Sequence, residues 1–304
     1  MIAADFSSRN FARRLATTGI VFRTGPFLVG LTSDISSFAE TWRDCYRSVE
    51  ILPAATIAHF QIKVLRKRGP RGLLRPQAIF RIADREPFDP YPLSHAFPMF
   101  EWGLNWCIGT MAHQFLMLHS AVVERKGHAV IMPAQPGSGK STLCAGLIAR
   151  GARLLSDEFG IIDMASGDLL PIPRAAPLKN ESIEVIRRFS PEARLGPVYD
   201  KTRKGTVSHL FPDARSLAAQ NTPAKPGLLL FPKFVPEEHS VEVLEQPRAV
   251  ALTRLVNNSF NYLISAEPGF HALTALVQRC RCIQLRYADM DAAIAAIDES
   301  LPAS

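Results

Sequence analysis

Cysteine is scarce, with five in 304 residues at positions 45, 107, 144, 280 and 282 and no Cys-x-x-Cys pair among them. An odd, sparse set in a long chain is not a disulfide framework, and it offers no zinc-finger spacing. Long apolar runs are also missing. The most apolar stretch, 98–123, is interrupted by Glu101, Asn105, His113, Gln114 and His119, short of the ~20 uninterrupted residues of a membrane helix. Met1–Phe6 has no basic-then-apolar start. A cytoplasmic chain without a membrane partner is therefore expected. No repeat of 20–50 residues and no low-complexity tract occurs. The basic residues at 63–75 are not interleaved with aromatics, and no zinc-finger or RNP-type motif is present, so no nucleic-acid partner is expected. What remains is an ordinary globular composition, 47% hydrophobic and 21% charged, which excludes a disordered chain. The net charge of +7 leans weakly toward an anionic partner.

The pattern of elements predicts two parts. Residues 1–92 read as a small α+β region and 93–304 as an α/β domain. In the first part a hairpin is expected at 19–29, turning at Thr24-Gly25-Pro26, then a helix over 36–52 and a strand pair at 57–65 and 77–83. The tip of that pair carries Lys63, Arg66, Lys67, Arg68, Arg71 and Arg75 without an acid, read as a solvated turn rather than a docking patch. Residues 84–92 are the expected linker. A buried helix over 97–113 follows, then strands at 115–123 and 128–132, a helix over 141–150, a strand at 153–156, a hairpin over 159–171 and a helix over 181–189. Strands at 228–231, 241–245 and 283–287 and helices over 247–257, 269–280 and 289–300 complete the pattern.

The informative segment is Ala134-Gln135-Pro136-Gly137-Ser138-Gly139-Lys140-Ser141-Thr142. It fits the phosphate-binding pattern G-x-x-x-x-G-K-[ST], with Ala134 in place of the first glycine. Successive backbone N–H groups must point into one concavity, and glycine allows the dihedrals that this requires. The start of the following helix adds partial positive charge. Lys140 would reach the outer phosphates, and the Ser141 hydroxyl could ligate Mg²⁺. An apolar strand before the loop and an amphipathic helix after it supply the context that the motif needs. Asp157-Glu158 ends the next strand, Asp157 coming only 17 residues after Lys140. A carboxylate there could hold Mg²⁺ or take a proton from an attacking hydroxyl.

These residues, together with Leu118-His119-Ser120-Ala121, Leu147-Ile148, Arg150-Gly151-Ala152-Arg153-Leu154 and Ser156-Asp157-Glu158, resemble the catalytic core of the bacterial HPr kinase/phosphorylase family, nearest to its HPr-kinase-related kinase A branch. The resemblance covers about residues 115–163. It implies a P-loop kinase core of the HPr kinase / phosphoenolpyruvate carboxykinase type, a mixed sheet with flanking helices, transferring the γ-phosphoryl group of ATP to a serine hydroxyl with Mg²⁺. Under it Lys140 and the loop residues 134–142 bind the nucleotide, Ser141 and Glu158 hold the metal, Asp157 is the base, and His119 lies near the transferred phosphate. Glu158 stands where the family has Asp, one methylene shorter. The family's later Ile-Arg-Gly-rich signature is not recognisable. In its place stand Arg174, Pro177-Leu178-Lys179-Asn180 and a run from Tyr199 to His209 with Lys201, Arg203 and Lys204, expected as a loop that either clamps phosphate or is simply basic surface. The acceptor implied is a protein or ribosomal peptide, not clearly HPr, and homo-oligomeric assembly is implied by the relatives. The alternatives are a nucleotide-gated peptide-binding module without transfer activity and a small-molecule kinase.

Overall fold

The computed structural model describes residues 1–69, 75–134, 137–237 and 240–302. It is an α/β structure of mixed sheets with flanking helices. Helix α1 (Ser8–Thr17) precedes the hairpin β1 (Ile20–Thr24) and β2 (Phe27–Ser33), paired Thr24 to Phe27 as the turn sequence predicts. Gly25, at φ +56°, makes that turn. A Cβ there would collide with the carbonyl oxygen of Pro171, so the hairpin tip rests directly on the later part of the chain.

Helix α2 (Ser36–Cys45) stops seven residues before the expected end at Leu52. Ile51–Leu52 is instead a short strand, β3, pairing with Val21 and Phe22 of β1. The apolar periodicity carried on, but pairing to an open sheet edge took these residues out of the helix. The helix starts at Ser36 as expected; Ile35 holds the cap position without a side-chain cap, and Ser33 Oγ accepts from the Ile35 N–H. Strands β4 (Phe60–Arg66), β5 (Gln77–Ile82) and β6 (Tyr91–Pro92) complete the sheet in the order β3-β1-β2-β4-β5-β6. Arg71, in the basic turn between β4 and β5, lies outside the described residues.

Helix α3 (Ala96–Met111) packs on this first sheet, and one apolar core runs from Trp42, Phe22, Phe38 and Phe80 through Phe97 and Phe100 to Met117, Phe159 and Phe211. Inside it Arg174 donates to Glu101 Oε2 at 2.6 Å, and the Tyr46 hydroxyl donates to Glu101 Oε1 at 2.7 Å. All three side chains are buried. Packing is thus continuous across residue 92.

The second sheet has the order β11-β10-β7-β8-β15-β17-β16. Its strands are β7 (Leu116–Arg125), β8 (His128–Pro133), β9 (Arg153–Ser156), β10 (Phe159–Ile162), β11 (Leu169–Leu170), β15 (Lys225–Phe234), β16 (Glu242–Glu245) and β17 (Arg281–Tyr287). β8, β15 and β17 run parallel; the flanking pairs are antiparallel. Leu228 and Leu230 face helices α4 (Lys140–Ala149) and α9 (Met290–Ser300), while Leu229 and Phe231 face α7 (Arg248–Asn257) and α8 (Tyr262–Arg279). Burial on both faces is why this strand reads as an unbroken apolar run. Helix α8 begins seven residues before the expected 269, with a break at Ala266 (φ +47°) just ahead of Pro268. The proline marks that break and hides the turn before it.

Strands β12 (Ala176–Lys179), β13 (Tyr199–Thr202) and β14 (Gly205–Leu210) form a small third sheet. Helix α5 (Glu181–Phe189) follows β12, and α6 (Ala214–Ala218) follows β14. The run expected as a loop at 199–209 is therefore mostly a hairpin. Its charged residues mask the alternation, and pairing to β12 supplies the order. Among the described residues no helix is long and apolar enough to cross a membrane.

Candidate functional site

The site grows from the end of β8. Ala134 follows the strand and is buried; Gln135 and Pro136 lie outside the described residues. Gly137 (φ +88°) and Gly139 (φ +90°) occupy left-handed conformations that L side chains disfavour. A Cβ on Gly139 would lie 2.8 Å from the Tyr287 hydroxyl, so the loop is pressed against β17. The Phe234 N–H donates to the Ser138 carbonyl at 3.1 Å, fixing the loop to the end of β15. Helix α4 starts at Lys140, and no side chain caps it. Its first-turn N–H groups, at Lys140, Ser141 and Thr142, are the kind that receive an anion.

Lys140 is buried, and its ammonium group donates to the Asp157 carbonyl at 2.6 Å and lies 3.6 Å from Asp157 Oδ1. Burial alone would draw its pKa down, but Asp157 and Glu158 outweigh that and hold it above the ordinary lysine value. The Asp157 side chain is 1% exposed, and neither carboxylate oxygen accepts a full hydrogen bond. The Ser141 hydroxyl is near enough to favour its charged form. Burial pushes its pKa up, Lys140 opposes this, and Glu158 adds to the rise.

Both acids sit at a step in the sheet. β9 and β10 pair along the same edge of β7, and Asp157-Glu158 joins them. His119 on β7 lies opposite Phe159 of β10, with Nδ1 3.8 Å from Glu158 Oε2. Burial lowers the His119 pKa, Lys140 lowers it further, and Glu158 only partly compensates. The imidazole is therefore held neutral at pH 7 beside Glu158. The structure thus brings His119, Lys140, Ser141, Asp157 and Glu158 into one place at the mouth of the loop.

Two further cations join them. Lys179 ends β12, and Lys204 lies in the β13–β14 turn with its ammonium 5.2 Å from the centre of the Trp102 ring. Both act electrostatically on His119. Burial lowers the Lys204 pKa, Glu158 raises it and Lys179 lowers it again. Of the other cations in that turn, Arg203 is drawn off to Asp89 at 3.2 Å and over the Tyr91 ring. In the sequence Lys179 stands out only within Pro177-Leu178-Lys179-Asn180, with no role attached, and the pairing of Lys179 with Val207 places it.

Among the described residues no group of three or more His, Cys, Asp or Glu side chains could by itself hold a metal. Mg²⁺ does not ask for one, since it keeps waters and takes one or two protein oxygens beside substrate phosphates. Ser141, with the Glu158 carboxyl group and the unpartnered oxygens of Asp157, fits that modest demand. No family model matches this chain, and no curated protein matches it.

Proposed function

We propose that the chain is an ATP-dependent, Mg²⁺-requiring kinase with a P-loop core of the HPr kinase type, acting in the cytoplasm on a serine or threonine hydroxyl of a protein or peptide. The observation that carries this reading is the contact of Lys140 with Asp157 at the mouth of a glycine loop and an uncapped helix start. The loop amides and Lys140 would cradle the β- and γ-phosphates, and Ser141 and Glu158 would hold Mg²⁺. That ion, when bound, offsets charge on the phosphate oxygens.

Asp157 is the base. Its raised pKa and unpartnered oxygens suit a group that takes the acceptor O–H proton as the oxygen attacks the γ-phosphorus. The bond from that phosphorus to the bridging oxygen breaks, and ADP leaves with the electron pair. Lys140 and Lys204 stabilise charge spread over the equatorial oxygens. Neutral His119 donates or accepts one hydrogen bond at the reacting group without adding charge.

A second reading is favoured by one observation. The Asp157 carboxylate is closed off under Lys140, as in a nucleotide-gated peptide-binding module that does not transfer phosphate. The test for both is mass spectrometry of peptides encoded beside this gene after incubation with the protein and Mg-ATP. A gain of one phosphate on a defined Ser or Thr supports the kinase. Peptide binding that depends on ATP, with no mass change, supports the module.

A further inference from the structure

At the end of β12 the backbone takes an outlying turn. Asn180 stands at φ +50° and ψ −124°, outside the small left-handed region that asparagine tolerates and in territory that glycine enters freely. Such outliers persist where surrounding contacts hold them, and they gather at functional sites. We infer that Asn180 is a positioning residue: it pins the β13–β14 hairpin to the end of β12 and so sets Lys204 beside Lys179, opposite the glycine loop. Its role in phosphoryl transfer rests on the kinase reading above; the pin itself does not.

Asn180 holds the cap position of α5, where asparagine ordinarily bonds to its own helix, yet its side chain makes no cap bond. It reaches across to the hairpin instead. Oδ1 accepts from the Thr206 N–H at 3.1 Å, and the Asn180 N–H donates to the Thr206 carbonyl at 2.9 Å. One residue thus holds Thr206 by both main-chain groups. The strained dihedrals explain why a side-chain oxygen is used. The Asn180 carbonyl accepts from the Ile183 N–H at 3.2 Å to start the helix, and Oδ1 serves the strand ladder in its place. Gly205 (φ +83°) makes the seat, since a Cβ there would lie 2.5 Å from Asn180 Oδ1.

From Gly205 the grip passes to Lys204. Thr202 Oγ1 donates to the Gly205 carbonyl at 2.7 Å and accepts from the Lys204 N–H at 3.0 Å. Lys179 is fixed on the other side, its N–H donating to Ser182 Oγ and its carbonyl accepting from the same hydroxyl, both at 2.7 Å. The two ammonium groups repel. Neither makes an ion pair among the described residues, and they lie near enough to act on each other and on His119. Without the pin the turn is free to carry Lys204 outward, the way Arg203 already faces Asp89.

The experiment compares the full chain with Asn180→Gly, which accepts the dihedrals without strain and loses only the side chain, and with Asn180→Asp, which restores an acceptor. In limited trypsin digestion read by mass spectrometry, cutting after Arg203 or Lys204 should be about tenfold faster in Asn180→Gly and return toward wild type in Asn180→Asp. Unchanged cutting in Asn180→Gly, or equally fast cutting in both variants, would overturn the pin whatever the activity. ADP release from Mg-ATP reads the catalytic part. Asn180→Gly should lower kcat about tenfold with KM for ATP unchanged, and combined with Lys204→Ala it should be no slower than Lys204→Ala alone. An unchanged kcat, a raised KM alone, or losses that multiply in the double variant would overturn the positioning role. No ADP release from the wild-type chain would remove the kinase reading, and the digestion would still decide the pin.

Discussion

Lys140 holds Asp157 from two directions, donating to its backbone carbonyl at 2.6 Å and facing its carboxylate at 3.6 Å. The carbonyl contact fixes the lysine whether or not the carboxylate is charged. The carboxylate is left with one cation and no full hydrogen bond, in a site where burial disfavours its charge.

Asp157→Asn separates chemistry from stability. Transfer from labelled ATP should fall by ~10²–10⁴-fold, the usual contribution of a general base; full activity would reject Asp157 in that role. Stability should move the other way with pH. The folded pKa is raised, so between the ordinary carboxylate value and that raised value the folded state binds more protons, and wild-type stability falls as pH rises. The variant lacks that slope. Thermal melts from pH 4 to 8 should therefore show it gaining on wild type toward higher pH.

Lys140→Met leaves the buried carboxylate without its cation. Breaking a buried pair in this way costs about 3–5 kcal/mol, and the loss should be larger at pH 8 than at pH 5, where Asp157 can protonate. In denaturant melts at pH 8 the double variant with Asp157→Asn should recover part of it. Nucleotide binding should be lost in both.

Lys204→Ala probes the hairpin cation. It is held over Trp102 and acts on His119, and the proposed kinase reading sets it against the transferred group rather than the base. The expected outcome is a 10–100-fold drop in kcat with little change in ATP affinity, consistent with loss of one charge-stabilising group. Because its pKa is lowered, wild-type kcat should decline on the alkaline side as Lys204 deprotonates, and the variant should lack that decline. An unchanged alkaline limb would count against it.

His209 → Leu tests an acid-sensitive point away from the site. His209 is buried, neither ring nitrogen has a partner, and burial pushes its pKa down to about 3. The unfolded chain takes up a proton below pH ~6.5 that the folded chain refuses until about 3, so stability is lost as pH falls through that window. Removing the imidazole should lessen that slope by about 1 kcal/mol per pH unit, read from denaturant midpoints between pH 4 and 6.

Much of the second sheet was legible because its strands and helices are apolar on a clear period. The strand at 153–156 and the helix at 181–189 were readable to the residue, the latter from its cluster of alternating apolar and charged positions. The glycine loop announced itself through Gly137, Gly139 and Lys140, whose spacing has a backbone reason. The missed elements depend on distant partners. Ile51–Leu52 became a strand because β1 offered an edge, and the 199–209 run became a hairpin because β12 did. Lys179 stood in the sequence without a role for the same reason: it is an ordinary residue at the end of an element, and only the pairing of β12 with β14 places it.

The Tyr46–Glu101–Arg174 link has a consequence for how the protein could be dissected. Arg174 stands five residues ahead of Lys179 on the approach to β12, and its two buried partners come from α3 and the end of α2. Trp102, under Lys204, belongs to the same α3. A fragment starting at residue 93 would strip Glu101 of Tyr46 and open the aromatic core above α3 to water. The motif would survive such a cut in sequence, while the two lysines opposite it would lose their footing.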